Sequence, residues 1–242
     1  MEIVPLLPQL HLIKLALDQA YLWRDGNELT LIDTGLPGSA GELEAAFAEL
    51  GYRKADLRRV ILTHWHEDHA GSAADVRAWG DVEVLAHAKD AVVIDGRRQG
   101  VKPVLTEAET VLFSQLPPIA PAPACRVDRE LADGEEIEFG TTATRVEADR
   151  AEGLGAGARV IGTPGHTDGS IAIYLPRHRV LFTGDIVAHS PNGLHLGPFN
   201  TDRELAKRSL ERLTGTPATT ICFGHGDPVA DGWRRPVPDP WG

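Results

Sequence analysis

The hydrophobic positions of this chain change period along its length. "LHLIKLAL", "AYLWRD" and "ELTLID" place apolar residues at strand spacing, and "RDGNE" supplies turn residues, so residues 10–33 predict an antiparallel β-meander. "GSAGELEAAFAELG" then spaces its apolar residues as a helix does, with Ser39 as candidate cap and Gly51 as stop, and leads into the strand "RRVILT". Beyond a histidine-rich run, the pattern predicts a helix near 69–79, the strand "VEVLA" and a second helix near 87–96. Residues 97–125 are less regular and end in "LPPIAPAPAC", whose closely spaced prolines exclude a central strand and a long helix, which leaves a lid or a spacer. Strand patterns return in "EEIEFG", "TRVEAD", "ARVIGT", "SIAIYLP", "RVLFTGD" and "TTICFG", with one helix at about 202–213 capped by Thr201 or Asp202. The tail, 229–242, is Pro-rich with two tryptophans, and packs back on the domain or reaches a partner chain.

Alternating strands and helices over 242 residues, 42% of them hydrophobic, predict one α/β domain spanning 1–242 with a sizeable core. A formal charge of −11 without a dense Lys/Arg run argues against nucleic acid as a partner. The N-terminus lacks a basic region and a small-residue cleavage site, and Pro5, Pro8, Gln9 and Lys14 interrupt its apolar runs, so no membrane association and a cytoplasmic location are expected. Cys125 and Cys222 stand in unrelated settings and read as small buried hydrophobes, not as a disulfide or thiolate site. The expected partner is a small-molecule substrate, with homo-oligomerisation open.

The chemistry is concentrated in "LTHWHEDHAGS", residues 62–72. Side chains two apart in an extended segment point the same way, so His64 and His66 can face one cation. Asp68 and His69 follow as the chain turns into a helix and would point to a neighbouring spot. One short loop can therefore feed two metal positions. Suitable partners stand past later strands: His166 in "TPGHTDGS", Asp185 in "FTGD" and His225 in "FGHGD". The echo of "RVILTH" in "RVIGTPGH" supports convergence of these strand ends, where α/β folds place ligands. A carboxylate between two cations can bridge them. Asp33, in "LIDTG", is either a turn residue or an acceptor that orients a ligand histidine. His11, His87 and His178 read as structural; His189, His195 and Phe199, in and beside "HSPNGLHLGPFN", are candidates for the mouth of the site, with Leu196 as a further apolar contact.

Taken together, "DTG", "HWHEDH" and the isolated His166, Asp185 and His225 resemble the metallo-β-lactamase-fold hydrolases, which include glyoxalase II-like thioesterases and lactonases. The resemblance spans about residues 28–228 and implies a four-layer αβ/βα sandwich with metals at one edge. It assigns His64, His66 and His166 to a first metal and Asp68, His69 and His225 to a second, with Asp185 bridging. It also implies two divalent ions per chain, zinc first, with manganese or iron as alternatives.

Departures from the family's patterns narrow the choice. β-Lactamases of this fold generally lack the bridging aspartate present here. Glyoxalase II carries a helical extension that holds glutathione, whereas this chain ends 17 residues after His225. The best-known lactonases have a tyrosine where Ala188 stands, and flavodiiron relatives replace the histidine equivalent to His66 by glutamate. The expected activity is hydrolysis of an ester, thioester or lactone by a metal-bridging hydroxide, with Asp68 and Asp185 as catalytic residues. Alternatives are a mononuclear-iron persulfide dioxygenase, a phosphodiesterase and a non-catalytic metal-binding module.

Overall fold

In the computed structural model, which describes residues 1–141, 157–233 and 236–241, the opening alternation folds as four antiparallel strands. These are β1 (Glu2–Leu7), β2 (Leu10–Lys14), β3 (Gln19–Asp25) and β4 (Glu28–Ile32). Three parallel strands extend the sheet: β5 (Leu57–Ile61), β6 (Glu83–His87) and β7 (Arg129–Leu131), giving seven strands in sequence order. The second sheet contains β8 (Glu136–Ile137), β9 (Ala158–Gly162), β10 (Ile171–Leu175), β11 (Val180–Phe182) and, past a small hairpin of β12 (Val187–Ser190) and β13 (Gly193–Leu196), the strand β14 (Thr220–Cys222). Its order is β14-β11-β10-β9-β8, with β14 parallel to β11.

Strand periodicity decides what each sheet face meets. Leu12, Tyr21, Trp23, Ile32, Ile61 and Leu85 of the first sheet meet Val160, Ile171, Ile173, Leu175 and Phe182 of the second in one buried cluster. The alternate residues of the first sheet, among them Leu22, Leu31 and Val84, pack on helix α1 (Ala40–Glu49) through Leu43 and Phe47. Those of the second sheet, Ala172, Tyr174, Leu181 and Ile221, pack on a long helix through Leu210 and Leu213. The layers are therefore helix, sheet, sheet, helix, the αβ/βα sandwich expected from the sequence. With both faces of each sheet covered, its central strands read as near-continuous apolar runs.

Several elements differ from the expectation. β1 has no strand signature in the sequence because Pro5 interrupts it, yet it lies at the sheet edge, where a missing N–H need not break a ladder. The helix near 69–79 is two short ones, α2 (Glu67–Ala70) and α3 (Ala73–Arg77). The break comes at Ser72, at φ −101 and ψ 10, whose hydroxyl donates to the Leu36 carbonyl at 2.6 Å; at Gly71 beside it a methyl would overlap Glu67 and Pro37. After α4 (Ala88–Ile94), the stretch read as lid or spacer contains a helix, α5 (Glu107–Gln115). Thr106 and Glu109 form a capping box at its start, but its one fully buried side chain is Glu109, so no amphipathic stripe marked it. The long helix, α6 (Arg203–Thr214), starts at Asp202, whose carboxylate accepts the Leu205 N–H at 2.9 Å. The strand expected at "TRVEAD" lies outside the described residues. Among the described residues no helix is long and apolar enough to cross a membrane.

Phe182 is 1% exposed between the sheets, and its ring lies 5.3 Å from that of Tyr21. Replacing it by Ala is expected to lower stability by about 3–5 kcal/mol, measured by denaturant unfolding.

Candidate metal centre

β5 ends at Ile61, and the chain stays non-helical past His64 and His66 until α2 begins at Glu67. His64 sets its Nδ1 3.0 Å from Thr63 Oγ1 and leaves its buried Nε2 without a protein partner. The Nδ1 atom of His66 lies 3.0 Å from Nε2 of His166, which arrives on the loop after β9. Their ring centroids, with that of His64, are 4.7–4.8 Å apart. Asp68 and His69 sit in α2 and meet Asp185, from the turn after β11, and His225, from the loop after β14. His225 Nε2 is 3.1 Å from Asp68 Oδ2 and 3.3 Å from Asp185 Oδ2, while Asp185 Oδ1 is 3.3 Å from His69 Nε2. Two groups result, His64–His66–His166 and Asp68–His69–Asp185–His225, each with potential ligand atoms within 4.8 Å of one another. Asp185 also reaches the first group, with Oδ2 3.8 Å from His166 Nε2.

The loops are tied where β4 and β5 end. Asp33 has φ +60, a left-handed backbone uncommon for a residue with a side chain. That turn lets its carboxylate accept the Thr63 N–H at 2.7 Å and hydroxyl at 2.8 Å, and lie 2.9 Å from His69 Nδ1. His69 is thereby oriented with Nε2 toward the group, the role of acceptor that the sequence left open beside a turn residue. Thr34 adds its N–H and hydroxyl to the His69 carbonyl at 2.7 and 2.8 Å. At Gly224 a methyl would overlap Asp185 Oδ1, so only glycine lets this strand end approach so closely.

Charge divides the two groups. Burial holds His64, His66 and His166 below the ordinary imidazole range, His66 at about 3, so these rings are neutral at neutral pH. For His225, burial pushes the same way but is outweighed by Asp185 and Asp68, which lift it to about 10. His69 is likewise lifted, against burial, by Asp185, Asp68 and Asp33. Both carboxylates are lowered despite burial, because protonated His69 and His225 face them.

The donor set fits divalent cations. His64 Nε2 is a buried polar atom without a hydrogen-bond partner, costly in an apolar interior and relieved by a cation, while His69 Nε2 and Asp185 Oδ1 have only each other, at 3.3 Å. Imidazole and carboxylate together suit zinc, manganese and iron.

Of the remaining sequence candidates, His189 stands beside the His225 loop, whereas His195 and Phe199 face other segments. His189 donates its N–H to the His225 carbonyl at 3.2 Å and sets Nδ1 2.6 Å from the Asp227 carbonyl. His195 turns to the tail, its ring 5.7 Å from that of Trp241. Phe199, at φ +63, donates its N–H to Glu109 at 2.9 Å and packs its ring 5.6 Å from that of Phe113 on α5. Three residues escaped sequence reasoning. Gln19 donates to the Phe223 and Gly226 carbonyls at 2.8 Å, and the Tyr21 hydroxyl donates to that of Phe223 at 2.7 Å, clamping the loop that carries His225. Asp18 is 6% exposed beside the second group, and burial pushes its carboxyl up to about 6. Gln19 and Tyr21 carried no signal in a run that reads as an ordinary strand.

The sequence model of the Metallo-beta-lactamase superfamily matches residues 19–225. The chain belongs to this superfamily. Among relatives, a probable metallo-hydrolase of Bacillus subtilis is 28% identical over 84% of this chain and 77% of its own. A hydroxyacylglutathione hydrolase of Cereibacter sphaeroides is 30% identical over 77% of this chain, but the match spans only 54% of that protein. Among solved structures, a metallo-beta-lactamase family protein of Thermus thermophilus superposes with TM-score 0.65 at 29% identity, over 94% of this chain and 76% of its own. A Cronobacter sakazakii metallo-beta-lactamase with a HARLDQ motif superposes with TM-score 0.69 at 22% identity, over 93% and 80%, and shares the fold. Membership of this superfamily makes a metal-dependent hydrolase of small molecules the coarse reading.

Two outcomes follow from the electrostatics and the loop ties. Asp33→Ala is expected to weaken zinc binding by roughly 10–100-fold, read by competition with a chromophoric chelator. A carboxyl whose pKa rises on folding costs nothing below its unfolded value and progressively more as pH passes through the folded value. Asp18→Asn should therefore raise the Tm of chelator-treated protein at pH 8 and leave it unchanged near pH 3, with each kcal/mol worth about 2–4 °C.

Proposed function

We propose that this superfamily member is a dinuclear metal-dependent hydrolase that cleaves an ester, thioester or lactone bond. The observation that carries this reading is Asp185, whose two carboxylate oxygens reach His69 on one side and His225 and His166 on the other. A carboxylate so placed is suited to join two cations into one centre. His64, His66 and His166 would hold the first, Asp68, His69 and His225 the second. Such a cation pair, when bound, would lower the pKa of a water toward about 7 and polarise a carbonyl oxygen.

The chain's own side chains then do the positioning and the proton transfer. Asp33 keeps His69 in one orientation, and Gln19 and Tyr21 hold the His225 loop against the strand ends. Asp68, with its side chain 22% exposed, is the more accessible of the two carboxylates. Its carboxylate can accept the proton of the attacking water and return it to the departing oxygen or sulfur. The hydroxyacylglutathione hydrolase relatives support a thioester among the candidate substrates.

Substrate panels of carboxylic esters, thioesters and lactones test this with the zinc- or manganese-loaded protein. Asp185→Asn and His64→Ala should each lower kcat/KM by at least about 100-fold, a loss of about 2.7 kcal/mol in transition-state stabilisation. Folded variants that keep full metal-dependent activity would contradict the assignment.

A further inference from the structure

Asp90 belongs to neither ligand group, yet it joins the two chain segments that make the first one. It stands in the first turn of α4 and is 1% exposed. Its Oδ1 accepts the Gly169 N–H at 2.8 Å; its Oδ2 accepts the Thr167 hydroxyl at 2.7 Å and the Trp65 N–H at 3.1 Å. Trp65 lies between His64 and His66, and Thr167 directly follows His166. One buried carboxylate thus fastens the loop after β5 to the loop after β9, at the point where His66 Nδ1 and His166 Nε2 come within 3.0 Å.

At 3.0 Å one ring can donate an N–H to the other, but two nitrogens that both turn lone pairs to a cation no longer bond each other, so their spacing then rests on the chain around them. The remaining contacts of Asp90 are rigid. A methyl at Gly169 would overlap its carboxylate, so the His166 loop can approach only through glycine. Thr167 is fixed in turn by Ser170, whose hydroxyl oxygen lies 2.7 Å from Thr167 Oγ1 and accepts the Thr167 N–H at 3.0 Å. Burial pushes the Asp90 carboxyl up to about 6, so keeping it ionised there is costly, and the three donors aimed at it offset that cost.

We propose that Asp90 is a positioning residue that sets the spacing of His66 and His166, and with it the cation affinity of the three-histidine group. Asp33 does the corresponding work for His69 in the other group. The proposal rests on reading the two groups as metal sites.

The test measures zinc affinity of the full chain by competition with a chromophoric chelator, and the visible spectrum of the cobalt(II) form. It uses two backgrounds: His225→Ala, which leaves the three-histidine group intact, and His166→Ala, which leaves the other group's four residues. In the first background Asp90→Ala should weaken zinc binding by roughly 10–100-fold and alter the cobalt spectrum. In the second the change should stay below about threefold. Thr167→Val, which removes one of the three bonds, and Asp90→Asn, which keeps an acceptor, should give smaller losses with the same selectivity. These two variants carry the test if Asp90→Ala does not fold. Equal losses in both backgrounds would reduce Asp90 to a general packing role, and no loss in the first would overturn the proposal while leaving the hydrolase reading intact. A wild-type chain that binds none of zinc, cobalt(II), manganese or iron would instead overturn the metal-site reading, and this inference with it.

Discussion

Asp185 is placed where two separate constraints meet. One of its oxygens is 3.3 Å from His69 Nε2, the other 3.3 Å from His225 Nε2, and the whole residue is drawn up against the backbone of Gly224. Around it, imidazoles and carboxylates converge, most of them buried, with His225 and Asp68 partly open to solvent. Such a cluster is stable only when every proton or cation it needs is present, because each unpaired polar atom in a low-dielectric site is expensive. The protons on His69 and His225 balance Asp68 and Asp185 in the chain by itself. A pair of divalent cations would take over that task, and would also satisfy the orphaned nitrogen of His64.

The sandwich exists to bring five strand ends to one edge. Asp33 follows β4 and His64 follows β5 in the first sheet; His166, Asp185 and His225 follow β9, β11 and β14 in the second. Parallel pairing of β4 with β5 and of β11 with β14 sends those ends in a common direction within each sheet. The interlayer core of Trp23, Phe139, Phe182 and their neighbours then fixes the two edges against each other. Stability and chemistry are linked through this geometry: the apolar layer sets where the strands end, and the polar loops beyond it make the site.

Much of this was legible in the chain. The run from His64 to His69 could be read because neighbours in sequence are neighbours in space there, and the strand ends could be read because a buried strand is an apolar run that stops abruptly at a polar residue. What could not be read depends on contacts between distant segments. Asp90 looks like any acidic residue in the first turn of a helix, which the helix dipole alone would justify. Gln19 looks like a strand residue, yet it holds a loop more than 200 positions away. α5 was hidden because its buried side chain is a glutamate, so the rule that helices reveal themselves by an apolar stripe had nothing to work on. β1 was hidden by Pro5, which an edge strand tolerates and a central one does not.

The central claim is that Asp185 makes one two-cation centre out of two ligand groups. Its most direct test is the metal content of the wild-type chain, purified without chelators and reconstituted with excess divalent metal. The account predicts close to two equivalents of zinc or manganese per chain. A single equivalent of iron, or no bound metal after reconstitution, would contradict it.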